Sequence, residues 1–279
     1  MAISLDFLLL KHKLRFMDFN DKVIWITGAS SGIGKALALE FSKQNCKLIL
    51  SARRETELNK VKSECNNTEA ISILPFDLAD YSLMKPIAEK AVSFFGKVDI
   101  LVNNGGISQR SLIVDTDISV DKKLMEVDYL GTVALSKALL PHFISNKSGH
   151  YVTVTSLMGK FGSPFRSGYC GAKHALHGFF DVLRMEHEKD NIKVTLICPG
   201  FVNTDVSHNA LTGDGSQLNQ LDEATENGLP VDEFAKRMLK AISKEKFEAY
   251  IGRKETTGVF LKRFFPKLLH KVVTKSKVR

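Results

Sequence analysis

The sequence predicts an α/β protein with one doubly wound parallel β-sheet of about seven strands and helices on both faces. Short strand-like runs and helical patterns alternate six times along the chain, which is typical of a parallel sheet covered on both sides. A glycine-rich turn joins the first strand to the first helix. The chain has 279 residues, 44% of them hydrophobic, which is enough for one large core.

Each element is recognised by its apolar period and by the turn residues that flank it. The predicted strands are residues 23–27, 47–52, 70–76, 98–102, 151–155, 193–198 and 247–251. The predicted helices are residues 35–44, 55–65, 82–95, 120–143, 167–189 and 231–243. Residues 204–230 are polar and aperiodic, and a loop of that length is usually a lid or a mobile segment. No linker interrupts residues 18–252, so a single domain is expected there, preceded by an extension at 1–17 and followed by a tail at 253–279.

The first turn, Thr27-Gly28-Ala29-Ser30-Ser31-Gly32-Ile33-Gly34, lies between a strand and a helix. In that arrangement backbone N–H groups and the helix N-terminus can hold a phosphate. The G-x-x-x-G-x-G spacing differs from G-x-G-x-x-G, and a tight turn without a ligand remains an alternative.

The second strand is followed by Arg53 and Arg54 instead of an acid. NAD-binding sheets place a carboxylate near this point for the ribose 2′-hydroxyl, whereas an arginine accommodates a 2′-phosphate. The pair therefore favours NADP(H). NAD(H), or a solvated arginine pair with no ligand, remains open.

Ser156 follows the fifth strand, and Tyr169 and Lys173 lie one turn apart on the next helix. Residues four apart share a helix face, so the phenol and the ammonium can face one cleft. A nearby cation favours phenolate, which suits proton transfer. A Y-x-x-x-K pair alone is weak evidence, and an ordinary amphipathic face is the alternative.

The cysteines and histidines predict neither a disulfide framework nor a metal site. The four cysteines are scattered and form no C-x-x-C pair, which fits a reducing, cytoplasmic compartment. His174 and His177 lie three apart, but no nearby carboxylate or cysteine completes a ligand set. We expect both to be partly buried and neutral.

The charge is concentrated in the tail. Residues 253–279 hold nine basic residues and one acid, which accounts for the whole net charge of +8 and gives no reason to expect nucleic-acid binding by the body. Apolar residues recur there at helical spacing among lysines, a pattern typical of membrane surfaces. Helices docked on the protein or on a partner subunit are the alternative, and Pro266 favours two short ones.

No apolar run of about 18 residues exists, so no transmembrane helix is predicted. Residues 1–16 place their basic residues after the short apolar run, unlike a secretory signal. We expect this segment to be a dispensable extension of a cytoplasmic protein, and the tail leaves membrane association open.

Four motifs together resemble the short-chain dehydrogenase/reductase family over residues 18–252. They are the Thr27–Gly34 turn, Asn103-Asn104-Gly105-Gly106 where the family has N-N-A-G, the Ser156/Tyr169/Lys173 set, and Pro199-Gly200 with Thr204. The arginine pair and Tyr169-Cys170-Gly171-Ala172-Lys173-His174 are most similar to the dehydrogenase/reductase member 7 and 11-beta-hydroxysteroid dehydrogenase-like branch. The resemblance implies a Rossmann-type fold and a nicotinamide cofactor.

The resemblance also implies residue roles. Tyr169 would be the general acid or base, Ser156 would hold the carbonyl oxygen, and Lys173 would bind the nicotinamide ribose and favour the phenolate. The implied cofactor-binding positions, besides Tyr169, Lys173 and the arginine pair, are Gly28, Ser30, Ser31, Ile33, Gly34, Asp77, Leu78, Asn104, Pro199, Gly200, Val202 and Thr204. Substrate would contact Ser156, Leu157 and Phe165. Because that lining is mostly apolar, the expected substrate is a hydrophobic ketone or aldehyde, or the matching alcohol.

One position departs from the family. The catalytic asparagine of its N-x-x-G pattern is replaced by Asp128, in Asp128-Tyr129-Leu130-Gly131. A carboxylate there would pair with Lys173 and raise the lysine pKa. Asp128 therefore counts as the fourth catalytic position, and it leaves open a catalytically weak or inactive NADP-binding sensor or scaffold. The family resemblance also implies a homodimer or homotetramer built on helices 120–143 and 167–189.

Overall fold

The computed structural model describes residues 17–220 and 222–276, and their strands form one seven-stranded parallel sheet. The strands are β1 Val23–Thr27, β2 Lys47–Ser51, β3 Ile71–Ile73, β4 Ile100–Asn103, β5 Gly149–Val154, β6 Ile192–Pro199 and β7 Glu248–Ile251. Their order is β3-β2-β1-β4-β5-β6-β7, which confirms the predicted fold class. Strand order reverses between β1 and β4, and ligands of such sheets bind at that switch point. The extension predicted at residues 1–16 lies outside the described residues.

The helices agree with the predicted alternation, with two differences. They are α1 Gly32–Phe41, α2 Glu55–Glu64, α3 Met84–Phe95, α4 Ile118–Leu124, α5 Thr132–Ser145, α6 Ser167–Glu186, α7 Glu223–Glu226, α8 Val231–Ser243, α9 Thr257–Phe264 and α10 Pro266–Lys275. The helix predicted at 120–143 is found as a continuous helical stretch from Ile118 to Ser145, but its middle, Met125–Gly131 between α4 and α5, has π-helical geometry. The short helix α7 interrupts the predicted loop 204–230.

The core lies on both faces of the sheet because strand side chains alternate. Within β1, Ile24 and Ile26 pack under α1 and α8, while Val23 and Trp25 pack under the helices of the other face. All five β1 residues are buried. A fully buried side chain of this size contributes about 1.5–3 kcal/mol, so the buried central strands fix the positions of their carboxyl ends.

The C-terminal helices α9 and α10 pack on the main domain, and Pro266 begins the second of them as the proline predicts. Leu269 of α10 is buried against Leu157, Phe161 and Cys198. The opposite face leaves Phe264 and Leu268 half exposed. Among the described residues, every helix is too short or too polar to span a bilayer.

Candidate functional site

A cavity of about 1020 Å³ lies at the carboxyl ends of the strands and collects almost all predicted site residues. Its walls include Gly28, Ser30, Ser31, Ile33, Arg53, Arg54, Asp77, Leu78, Asn104, Ser156, Leu157, Tyr169, Lys173, Pro199, Gly200, Val202 and Thr204. These residues are up to 176 positions apart in the sequence, between Gly28 and Thr204. The parallel sheet brings them together because each follows a strand that ends at the same edge.

Three predicted residues do not line this cavity. Gly34 lies beneath the glycine turn, and Asp128 is buried behind Lys173. The prediction that Phe165 contacts substrate is not supported, because Phe165 is absent from the cavity wall. Its backbone is left-handed, with φ of 67°, and in this turn the next residue, Arg166, lines the cavity instead.

The glycine turn forms a cradle of bare backbone. Gly28 has φ of 63°, a conformation that favours glycine. A Cβ on Gly34 would lie well inside van der Waals contact of the Gly28 carbonyl oxygen. The Asn104 side-chain amide donates to the carbonyls of Thr27 and Gly28 at 3.1 and 3.2 Å, and so braces the turn from the next strand. The turn leads directly into the N-terminus of α1, and backbone N–H groups in such a place bind the phosphates of a dinucleotide.

Arg53 and Arg54 are exposed at the same end of the cavity. Arg53 lies 4.0 Å from the Asp77 carboxylate, which follows the third strand. Both guanidinium groups can therefore reach solvent or an anionic group at the cavity rim.

The reacting centre lies where β5 meets α6. The Ser156 hydroxyl accepts a hydrogen bond from the Met158 amide at 3.0 Å, at the start of a short 3₁₀ turn. Lys173 Nζ lies 5.6 Å from the centre of the Tyr169 ring, as expected for residues one turn apart. The same Nζ donates to the Val154 carbonyl at 3.4 Å. Serine, tyrosine and lysine thus meet in one cleft.

Asp128 and Lys173 form a buried ion pair, with Asp128 Oδ2 3.3 Å from Lys173 Nζ. The other carboxylate oxygen accepts from the Ile107 amide at 2.8 Å. Burial raises the pKa of Asp128 above its ordinary value, although Lys173 opposes this. Burial acts to lower the pKa of Lys173, but the adjacent Asp128 carboxylate outweighs it and the pKa is raised. That direction agrees with the prediction made from the sequence.

Gly106 explains how this pair fits against the backbone. A Cβ there would lie 3.1 Å from Asp128 Oδ1 and 3.2 Å from Lys173 Nζ. That is tighter than ordinary van der Waals contact, so a glycine at position 106, where the family pattern N-N-A-G also has glycine, leaves room for the carboxylate next to the ammonium.

The comparisons with known proteins agree with this geometry. The model of the short chain dehydrogenase family matches residues 22–214. A dehydrogenase/reductase SDR family protein 7-like protein of Anopheles gambiae is 44% identical over 88% of this chain and 79% of its own length. The chain belongs to the short-chain dehydrogenase/reductase family. Dehydrogenase/reductase SDR family member 7B of Xenopus laevis is 40% identical over 90% of this chain and 80% of that protein.

Solved short-chain dehydrogenases share the fold. One from Burkholderia phymatum, in complex with NAD, has a TM-score of 0.79 at 22% identity and covers 90% of this chain and 96% of its own. Another from Streptomyces avermitilis has a TM-score of 0.75 at 23% identity and covers 91% and 96%. The predicted family and its member 7 branch are confirmed, and the chain belongs to a family of oxidoreductases.

Sequence reasoning missed a charged cluster in this dehydrogenase, in the part of the cavity lined by Arg110, Arg166 and Tyr169. We call this part the substrate end, because the resemblance to the family places the carbonyl substrate beside Tyr169. Arg110 pairs with Asp222 at 2.7 Å, and Arg166 lies 3.8 Å from the same carboxylate. Burial and repulsion from Arg110 lower the pKa of Arg166 to about 10, although Asp222 opposes them. No motif joins positions 112 residues apart, so only the fold could reveal the cluster.

A second missed group surrounds His177. The sequence predicted that no carboxylate or cysteine lies near His177. This was wrong, because the fold brings the side chains of Cys198 and Glu248 within 4.8 Å of His177. Lys160 already contacts the Glu248 carboxylate at 2.5 Å. Burial, helped by Lys160, lowers the pKa of His177 to about 4, which agrees with a neutral, buried histidine. His174, by contrast, is exposed.

Proposed function

We propose that this short-chain dehydrogenase is an NADPH-dependent reductase of a ketone or aldehyde on a hydrophobic small molecule, or that it runs the reverse reaction, in which NADP⁺ oxidises the matching alcohol. One observation carries the proposal. Ser156, Tyr169 and Lys173 open into the same cavity that the glycine turn and the arginine pair line at its other end. A dinucleotide held along that cavity would have its reactive end beside the tyrosine.

The chain's own residues supply binding, orientation and the proton. The Ser156 hydroxyl accepts from Met158, so its own O–H is left to donate to a carbonyl oxygen. Tyr169 would protonate that oxygen as general acid, and Lys173 would hold the nicotinamide ribose while its charge favours the phenolate. When bound, the cofactor supplies the hydride, chemistry that side chains do not offer.

Substituting Tyr169→Phe tests this assignment. Loss of a general acid costs about 10²- to 10⁴-fold in rate, so NADPH oxidation with a good ketone should fall by that factor while NADPH affinity stays within about threefold. Tyr81→Phe is the matched control, because Tyr81 is exposed and away from the cavity. Full activity in Tyr169→Phe would show that the proton comes from elsewhere.

The preference for NADP(H) over NAD(H) is supported by Arg53 and Arg54, which line the cavity without an acid between them. Calorimetric titration of both reduced cofactors tests it. We expect NADPH to bind about tenfold or more tightly, since a charge-assisted contact to phosphate contributes about 1.5–3 kcal/mol. Arg54→Gln should reduce the ratio of NADPH to NADH affinity. Arg237→Gln should leave this ratio unchanged, because Arg237 is an exposed arginine outside the cavity. Equal affinities in the wild-type protein would disprove the preference.

A second candidate function is an NADP-binding sensor with little or no turnover, and Asp128 favours it. Its carboxylate is in contact with Lys173 and offsets the charge that the tyrosine needs. This candidate expects tight NADPH binding and no oxidation of NADPH with any compound of a broad carbonyl panel. Turnover above about 0.1 s⁻¹ on one carbonyl compound, low against the usual range of 1–10³ s⁻¹, would exclude it.

We further propose a cytoplasmic location with peripheral membrane contact through the tail. The outer face of α9 and α10 is apolar and half exposed at Phe260, Phe264, Phe265, Leu268 and Val272. Basic residues flank it, and residues 256–276 contain no acid. Such a face fits an anionic bilayer. The full chain should sediment together with phosphatidylserine vesicles. The double variant Phe264→Glu/Phe265→Glu should stay in the supernatant. Phe247→Glu is the control, and unchanged binding of the double variant would reject the tail as the contact.

The family membership also supports a homo-oligomer. Val182 and Met185 leave an exposed apolar edge on α6, at 47% and 68% exposure. We propose that α5 and α6 form its interface. Sedimentation equilibrium should give a dimer or tetramer, and Met185→Glu should shift it toward the monomer; a monomeric wild-type protein would refute the proposal.

A further inference from the structure

The substrate end of the cavity contains two guanidinium groups and one carboxylate that faces both. The side chains of Arg110, Arg166 and Asp222 are 8%, 5% and 1% exposed. Three different segments supply them, namely the stretch after β4, the start of α6 and the segment before α7. Both arginines line the cavity.

The two arginines differ in how well they are partnered. Arg110 donates twice to Asp222, and also to the Ser108 hydroxyl and the Gln109 carbonyl. Arg166 donates to the Ser163 hydroxyl at 3.2 Å, and its distance of 3.8 Å to Asp222 is too long for a hydrogen bond. A guanidinium has five N–H donors. Within the described part of the chain, most donors of Arg166 therefore have no protein acceptor.

The charges of this cluster are also unbalanced. One carboxylate serves two guanidinium groups, so the cluster retains one positive charge in a buried place. The other acids of the cavity wall, Asp77, Asp205 and Glu255, make no ion pair with Arg110 or Arg166 among the described residues. Burying an unpaired charge is costly, and a guanidinium is the side chain best suited to a planar carboxylate or a phosphate.

We propose that Arg166 is a specificity-determining residue that binds an acidic group, a carboxylate or a phosphate, on the carbonyl substrate. This deepens the proposed reductase function and rests on it. Arg110 is the positioning residue, since its bonds to Asp222 hold that carboxylate near Arg166 without neutralising both arginines. The apolar wall from Leu157, Phe161 and Leu261 receives the rest of the molecule, so the substrate is amphipathic and not purely hydrophobic.

A binding experiment on the full chain with NADP⁺ present tests the subsite without any turnover. Sodium decanoate, decyl phosphate and methyl decanoate have the same alkyl chain and differ in charge. We expect at least one of the two acids to bind about 10- to 100-fold more tightly than the ester, because charge-assisted bonds to a buried guanidinium are the strong ones. The tighter acid identifies the acidic group. Equal affinity for the acids and the ester would overturn the proposal.

Variants assign the difference to one side chain. Arg166→Gln should abolish the preference for acids, and Arg166→Lys should restore part of it. Arg184→Gln is the matched control, because Arg184 is a partly buried, ion-paired arginine at the other end of the same helix, outside the cavity. Circular dichroism checks that each variant is folded. A preference that survives in folded Arg166→Gln would mean that the basic tail binds the acids, and the subsite would be refuted.

The two proposals fail in different ways. Tighter binding of the acids with no oxidation of NADPH by any ketone would refute the reductase and keep the acid subsite. Steady reduction of 9-oxodecanoate and its methyl ester with equal kcat/KM would keep the reductase and refute the subsite. If both are right, Arg166→Gln lowers kcat/KM for the acid about 10- to 100-fold and for the ester less than about threefold.

Discussion

The two ends of the cavity are built on different principles. The nucleotide end is walled by backbone, with Gly28 and Gly34 packed against each other and Asn104 bonded to the turn. The substrate end is walled by side chains from distant segments, such as Arg110 bonded to Asp222 across 112 residues. A short stretch of sequence specifies the first kind of surface. The second kind exists only once the whole chain has folded.

Among the changes that compare the two ends of the cavity, Gly34→Ala at the nucleotide end should have the largest effect. The added Cβ would meet the Gly28 carbonyl and lie 2.6 Å from the Asn104 amide, so the turn must open. Overpacking of this kind costs about 1–3 kcal/mol or more, and NADPH affinity should fall about 100-fold in a calorimetric titration. Gly178→Ala on α6 is the control, because nothing lies within 4 Å of its Cβ position. Unchanged affinity in Gly34→Ala would show that the turn is not the phosphate cradle.

At the junction of the two ends, Asp128→Asn should shift the pH dependence. The carboxylate raises the pKa of Lys173, so its removal lowers that pKa and leaves the ammonium uncompensated beside Tyr169. An uncompensated cation favours phenolate, and the whole pH profile of alcohol oxidation should move to lower pH by about one unit. Glu126→Gln makes the same chemical change in the same π-helical segment, away from the cavity. A shift to higher pH would contradict the ion-pair argument.

At the substrate end, Leu269→Ala should weaken substrate binding alone. Leu269 lies on the buried face of α10 and is 6% exposed, whereas its neighbour Leu268 is 50% exposed. Truncation should raise KM for a hydrophobic ketone about fivefold, which corresponds to a loss of apolar contact with the substrate of roughly one buried CH₂ group. Cofactor affinity should not change. Leu268→Ala is the control, and an equal effect of the two variants would mean that α10 does not wall the site.

The smallest expected effect concerns stability in acid. Burial holds the pKa of His177 at about 4, below its ordinary 6.5. The unfolded chain therefore binds a proton between those values that the folded chain does not, and the unfolding free energy decreases as pH falls from 6.5 to 4. His177→Gln should make this decrease shallower in urea unfolding at several pH values. His174→Gln, on the exposed side of α6, should leave the slope as in the wild type.

The sequence predicted the elements whose signal is local. Strand periodicity, the glycine turn and the Tyr169/Lys173 spacing depend on neighbouring residues, and each is found where it was expected. Asp128 was recognised because it departs from the short N-x-x-G pattern of the family, and the resemblance to that family named Lys173 as its partner.

The remainder depends on contacts that no local pattern encodes. The third strand was predicted too long because its last residues are apolar, yet the ladder includes only Ile71–Ile73. The cluster of Arg110, Arg166 and Asp222 needed the positions of three segments. Cys198 and Glu248 lie beside His177 because β6 and β7 are neighbouring strands, and that pairing is a property of the fold.

The π-helical segment Met125–Gly131 makes the site sensitive to the loss of a single residue in this segment. A π-helical turn holds about one residue more than an α-helical turn, as if one residue had been inserted into an α-helix. Such segments often occur at functional sites. Deleting one residue within it would restore a continuous α-helix and rotate the preceding or following side chains by about 100°. Asp128 and Lys173 would then part. The register of this ion pair is thus set by a single inserted residue, and a deletion could disconnect it while every catalytic side chain remained in the sequence.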